Sequence, residues 1–324
     1  QASLLQKVTE GLKQLKDFSK DKDILFFVGA PLSFEDSLYN CAVAISNGLI
    51  LAIYPKRYIP NYKEFYEGRY FIPYTDENSF FSFDGNKILL INDDYEQEIV
   101  SCEICEDAWA SHSPSLDAAN AGATILLNLS SSNETINKDK IRRGLVKEAS
   151  RKLCGAYIYV SASFEESTTD LLFSGHNLIY ECGDKLGESP LFYPSMLIQT
   201  IDIERIVNKR RSQNTFLSEK KNGFTIVHYQ SYRAECNKYI NRNLSRFPFI
   251  YHDFDFEETD YEKVLQMQAL SLAKRLKSIN CHVTVLGLSG GLDSTLALLA
   301  IHKAYDILNY DHKDIHVLTL PCFG

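Results

Sequence analysis

The sequence contains no apolar run long enough to cross a bilayer and no leader pattern at its start, so neither a membrane span nor a secretory signal is expected. It is also short of positive charge. Its 34 Lys and Arg stand against 42 Asp and Glu, a formal charge of −8, which argues against a surface that coats nucleic acid. A local phosphate pocket needs only a few donors and stays open. Of the eight cysteines, only Cys102 and Cys105 stand close, with no second Cys/His pair at matching spacing, so a zinc module has little support. Most of the others (Cys41, Cys154, Cys182, Cys236, Cys281 and Cys322) lie in apolar, strand-like stretches and read as small hydrophobes of a protein in a reducing cytoplasm.

What is present is ordinary globular composition, 45% hydrophobic and 23% charged over 324 residues, enough for two domains. Leu4, Leu5, Val8, Leu12 and Leu15 recur at helical spacing and predict an amphipathic surface helix. Strands are predicted over 23–33, 38–45 and 49–54, the last two joined by Asn47-Gly48, the dipeptide of a type I′ hairpin. A second hairpin is predicted from 87–92 into 98–104. A short helix capped by Ser113 with Pro114 at its first position follows, then a strand at 123–129, a helix at 138–154 and a strand at 156–161. Strands at 176–181 and 195–203 complete the set, and 205–214 reads as a basic, polar stretch leaving the domain. Two hairpin-rich sheets with outer helices predict an α-β-β-α sandwich. From residue 260 a helix, a strand (283–288), a glycine loop, a helix from Ser294 and a strand (315–320) predict the start of a doubly wound parallel α/β domain. The division expected is 1–216, a connecting segment 217–255, and 256–324.

Cys105 ends a strand and is followed by Glu106-Asp107-Ala-Trp109, and a thiol at a strand-to-turn junction can project from the sheet beside free backbone N–H groups. Glu103-Ile-Cys105-Glu-Asp-Ala-Trp109 resembles the nucleophile motif of the nitrilase superfamily. Tyr54-Pro-Lys56-Arg-Tyr-Ile-Pro-Asn-Tyr62 resembles that family's lysine motif in the form seen in glutamine-dependent NAD synthetases. Asn128-Leu-Ser-Ser-Ser132-Asn-Glu and Glu166-Ser-Thr-Thr-Asp170-Leu-Leu-Phe-Ser-Gly175 continue the likeness, which covers residue 1 to about Phe216 in order. The resemblance implies a Cys105 thioester formed from the glutamine amide. Lys56 and the backbone N–H of Glu106 would hold the oxyanion, and Tyr62, Ser132 and Lys138 would contact glutamine. Lys138 stands where some members carry arginine, giving a point contact in place of a fork. Cys102, on the opposite strand face, reads as core. The superfamily also uses a glutamate base. Glu10, in the first helix, and Glu35, in a loop, have the wrong surroundings, so the base is expected upstream of Gln1.

Gly287-Leu288-Ser289-Gly290-Gly291-Leu292-Asp293-Ser294 joins a strand to a helix, where glycines admit a close phosphate and the helix start offers free N–H groups. It lacks the Gly-Lys-Ser/Thr ending of a Walker A loop and resembles the Ser-Gly-Gly-x-Asp-Ser loop of ATP pyrophosphatases, an adenine nucleotide alpha hydrolase-like domain. Together the two resemblances imply ATP with Mg2+, whose ligands are not placed, and an enzyme that adenylylates nicotinic acid adenine dinucleotide. Ammonia from glutamine, carried inside the protein, would then displace AMP to give NAD. They also imply a homo-oligomer in the cytoplasm. A nitrilase-like glutamine or ω-amide hydrolase with a vestigial nucleotide domain, and an inactive scaffold, are the rival readings.

Overall fold

The computed structural model describes residues 2–75, 87–166, 171–193, 195–216, 223–231, 242 and 258–319. Residues 167–170 of the fourth motif, Cys236 and Cys322 therefore lie outside the described residues. The chain divides into two compact units, Gln1–Arg242 and Asn243–Gly324.

In the first unit, helix α1 (Ala2–Phe18) precedes a three-stranded antiparallel sheet of β1 (Phe26–Phe34), β2 (Ser37–Ser46) and β3 (Leu49–Pro55). Asn47 and Gly48, at φ 43 and 76, form the β2–β3 turn with both central residues left-handed, as the dipeptide predicts. A seven-stranded sheet follows. It is built from β4 (Ile88–Asn92), β5 (Ile99–Ile104), β6 (Ile125–Ser130), β7 (Ala156–Ser161), β8 (Leu178–Glu181), β9 (Asp184–Glu188) and β10 (Thr225–Tyr229). Their order is β10-β4-β5-β6-β7-β8-β9, with β5, β6 and β7 parallel. Helices α2 (Pro114–Asn120) and α3 (Lys138–Leu153) lie beyond it.

Period-two alternation sorts the side chains into three apolar layers. Val8, Leu12 and Leu15 of α1 meet Val43 and Ile45. Ala42, Ala44, Ala52 and Tyr54 meet Ile88, Leu90, Val100, Cys102 and Ile104 between the sheets. Leu89, Leu126, Tyr157 and Tyr159 meet Ala118, Val146 and Leu153 under the outer helices. This is the α-β-β-α sandwich, with Cys102 in its centre.

Three segments depart from the sequence reading. Residues 195–202 form no strand, and Ile203–Ser212 is a helix, α4, capped by Asp202 accepting from Arg205 N at 2.9 Å. Ile203 and Ile206, one turn apart, are its buried anchors. Within this basic stretch the Arg210 guanidinium donates to the carbonyls of Cys154, Ala123 and Leu153 at 2.8, 2.6 and 3.0 Å, pinning α4 to the sheet end. Strand β10 falls inside the expected connecting segment yet pairs in parallel with β4 as the sheet's edge. Strand β9 closes the opposite edge.

In the second unit, α5 (Glu258–Ser278), β11 (Thr284–Gly287), α6 (Leu292–Leu308) and β12 (Ile315–Leu318) follow in order, and β11 pairs in parallel with β12. Val264, Met267 and Leu270, which would mark the apolar stripe of α5, are exposed. Ala269 and Ala273 are buried instead, against Ala304 of α6, since small side chains let the two helices approach closely. Among the described residues no helix is long and apolar enough to cross a membrane.

Candidate active site

Open parallel sheets present functional groups at the carboxyl ends of their strands, and the parallel strands β5, β6 and β7 bring their carboxyl ends to the same side of the sheet. Cys105 is the first residue past β5 and opens a 3-10 turn, Cys105–Ala108. Its φ is +46, a left-handed conformation that costs a non-glycine residue about 1–2 kcal/mol and persists only where the surroundings impose it.

Asp107 supplies that constraint. Its buried carboxylate accepts from Ile104 N at 3.0 Å through one oxygen, and from Arg57 N and Tyr58 N at 3.1 and 2.9 Å through the other. One side chain thus ties the residue before Cys105 to the two residues after Lys56. Burial pushes this carboxyl up to about 7, and the Glu103 charge adds to the rise against the Ile104 and Tyr58 amides. The native state therefore holds the proton more tightly than the unfolded chain, and the group's contribution to stability falls as pH rises from 3.8 through about 7. Asp107→Asn cannot accept at all three amides without turning an NH2 toward a donor, a mismatch of roughly 1–3 kcal/mol. The expected result is a lower melting temperature and slower alkylation of Cys105, and unchanged alkylation kinetics would refute the clamp.

Lys56 follows β3 and is only 2% exposed, so its ammonium must be paired. Its Nζ lies 2.5 Å from Glu67 Oε2, while Asn40 Nδ2 donates to Glu67 Oε1 at 2.7 Å. Glu67 had no signal in the sequence, because it reaches Lys56 across a loop with no fixed spacing. Glu10 and Glu35 are exposed, as their sequence surroundings imply.

A cavity of about 260 Å3 gathers five of the predicted residues, Cys105, Glu106, Tyr62, Ser132 and Lys138, with Glu64, Phe65 and Trp109 in its wall. Tyr62 donates its hydroxyl to Glu106 Oε1 at 2.7 Å, and burial together with that carboxylate pushes the phenol up to about 12. Glu106 so enters through its side chain as well as its backbone, and its N–H is among the first amides of a helical turn, which lack an intrahelical partner. Lys138 opens α3, bonds Asn133 Oδ1 and stands 5.4 Å from the Phe65 ring centroid. Burial lowers its pKa, with the Arg142 charge acting the same way. Ser132 is buried and accepts from Arg142 Nη2 at 3.3 Å.

Two groups below this cavity escaped the sequence reading. Arg142 is fully buried and forks onto Glu134 Oε2 at 3.0 Å through both terminal nitrogens, with His176 Nδ1 at 2.8 Å. Tyr159 is fully buried, and its hydroxyl has no hydrogen-bond partner among the described residues. Burial pushes it up to about 12, with Cys105 near enough to add to the rise.

In the second unit Gly291 caps α6, and Gly290 at φ 83 makes the left-handed turn that brings the loop back to the helix start. Ser294 and Thr295 donate to Gly291 O at 3.1 and 2.9 Å, while Ser289 Oγ accepts from Gly291 N at 3.3 Å. The loop is solvent-exposed, with hydroxyls and free amides grouped around it and Asp293 in the first helical turn.

No protein-family model matches the chain. It is 34% identical to the glutamine-dependent NAD(+) synthetase of Mycobacterium leprae, over 99% of this chain and 49% of that protein. It is 27% identical to the one from Aquifex aeolicus, over 93% and 49%. Among solved structures, the Acinetobacter baumannii glutamine-dependent NAD+ synthetase in complex with ADP superposes with a TM-score of 0.53 at 20% identity, covering 98% of this chain and 49% of that one. A carbon-nitrogen hydrolase from Helicobacter pylori G27 gives 0.52 at 18%, covering 64% and 72%. The chain spans about half the length of the curated relatives it matches, and along nearly all of its own length it is related to the glutamine-dependent NAD(+) synthetases.

Proposed function

We propose that this chain carries the glutamine amidase, within Gln1–Arg242, and the opening of the ATP-dependent synthetase, within Asn243–Gly324, of a glutamine-dependent NAD synthetase. The observation that carries this reading is the convergence of Cys105, Glu106, Tyr62, Ser132 and Lys138 on one cavity. Its charges suit a free amino acid, with Lys138 for the α-carboxylate and Glu106 and Glu64 for the α-ammonium. The Cys105 thiolate attacks the side-chain amide carbon of glutamine, and the oxyanion formed is held by Lys56 and the Glu106 N–H. The carbon–nitrogen bond breaks, ammonia leaves with an added proton, and water hydrolyses the thioester to glutamate.

In the second unit the loop fits a triphosphate. Its amides and hydroxyls at the start of α6 favour an anion, but Asp293 repels one unless a cation lies between. Mg2+ bound with ATP would supply that cation, and Asp293 would be the loop carboxylate to meet it. ATP adenylylates nicotinic acid adenine dinucleotide, pyrophosphate leaves, and ammonia displaces AMP to give NAD.

A diazoketone analogue of glutamine tests the amidase reading. Peptide mass spectrometry should find a single adduct on Cys105, and Lys138→Ala should slow its formation roughly tenfold or more through loss of a charged contact. Labelling spread over several thiols, or none at Cys105, would sink the assignment.

A further inference from the structure

Residues 309–311 fold the chain sharply back at the end of α6, since Asn309 at φ 54 ends the helix and a 3-10 turn, His312–Asp314, begins three residues later. This return brings His312 beside the last turns of α6. His302 and Asp306 are four residues apart on α6 and so share one helix face. His302 Nδ1 lies 3.4 Å from Asp306 Oδ2, and His312 Nε2 lies 2.9 Å from Asp306 Oδ1. One ligand atom from each of the three residues falls within 4.8 Å of the other two. We propose that His302, Asp306 and His312 form a zinc(II) site, separate from the nucleotide loop, that completes its coordination with solvent.

Three features favour a bound ion over two isolated ion pairs. The spacing comes first. Ligand atoms around a tetrahedral Zn2+, at about 2.0–2.2 Å from the metal, stand roughly 3.3–3.6 Å apart. One atom from each of the three residues already lies within 4.8 Å of the others, so small side-chain rotations close the set. Donor chemistry comes second: two imidazoles and one carboxylate suit zinc, whereas Mg2+ demands an oxygen shell. This set therefore does not duplicate the magnesium that accompanies ATP. Third, the return is rigidly held. Tyr305, a fully buried residue of α6, places its hydroxyl 2.9 Å from His282 O, 3.1 Å from Thr284 Oγ1 and 3.5 Å from Asp314 O. Asp311 accepts from Lys313 N at 3.0 Å and fixes the start of the 3-10 turn. A site preorganised in this way gives up little freedom when the ion enters.

The ligand side chains are 58%, 57% and 38% exposed, so a hydrated ion reaches them directly. The nucleotide loop sits at the start of α6, and Asp306 lies 14 residues past Leu292, about 20 Å along a helix. The cluster and the loop are therefore at opposite ends of one rigid element.

Tag-free protein dialysed against Zn2+ should retain one equivalent at neutral pH and release it to a strong chelator. His302→Ala/His312→Ala should lose that equivalent, and Asp306→Asn should weaken retention at least tenfold, both with unchanged circular dichroism. X-ray absorption should show nitrogen and oxygen neighbours only. No zinc retained by the parent protein, undiminished retention in both variants, or sulfur among the neighbours would overturn the proposal. Should the double variant lose its fold, Asp306→Asn and the absorption spectrum decide alone.

Discussion

On the proposed function, Cys105→Ala should abolish glutamine-dependent NAD formation in the full-length protein while leaving formation from added ammonium intact. In that reading Cys105 forms the thioester, and the Ser132 hydroxyl in the same cavity is held as an acceptor by Arg142. Removing the nucleophile of a covalent mechanism costs a factor on the order of 10^4 or more in turnover. Ammonium bypasses the step, since it supplies the nitrogen directly. Asp293→Ala should behave oppositely and impair both nitrogen sources, because each needs the adenylylated dinucleotide. Assays of NAD formation with glutamine and with ammonium, run on both variants, separate the two sites. Loss of both activities in a well-folded Cys105→Ala protein would end the two-site reading.

Arg142→Met should produce the largest stability loss of any single substitution near the cavity. The guanidinium is fully buried, and Glu134, only 8% exposed, is the carboxylate that accepts its fork. Deleting one partner of a buried pair costs about 3–5 kcal/mol, because the other is left charged without compensation. For a unit of this size that corresponds to a fall of roughly 6–20 °C in melting temperature. His176 connects the pair to Glu188 at 2.9 Å, and Arg143 and Lys185 close the network from outside. Burial alone would raise Glu188, but the bonds from His176, Arg143 and Lys185 prevail and hold it at about 2. Its native pKa is depressed, so its contribution is present above 4.5 and is lost as pH falls from there through about 2. Adding Glu134→Gln to Arg142→Met should restore part of the loss, since the stranded charge is then gone. Thermal unfolding of both variants at neutral pH measures this, and an unchanged melting temperature for Arg142→Met would show that the buried pair carries no net stability.

The residues proposed for the amidase site were readable along the chain. Cys105, Lys56, Tyr62, Ser132 and Lys138 each sit in a short block whose residue types match a known use, and four of these residues share one cavity. Lys56 is the exception: it does not line that cavity and is paired with Glu67. The groups that hold the blocks in place were not readable. Asp107 reaches Arg57 and Tyr58 across about 50 positions, and Arg142 reaches His176 across 34. No spacing rule connects such partners, because the intervening loops and strands set the distance. Strand β9 was missed for a related reason, as its charged sequence pairs with β8 at a sheet edge where little burial is required.

Periodicity and turn chemistry by themselves determined the two halves of this protein, the sandwich hairpin at Asn47-Gly48 and the strand–loop–helix around Gly290, since these depend on local backbone preference. Tertiary structure alone decided which polar groups are buried and with whom. It turned a basic stretch into the clamp of Arg210, made an alanine seam of α5, and returned His312 to face His302 and Asp306. Burial is a property of the whole packing. A charge that costs little in water must find its partner wherever the fold has brought one.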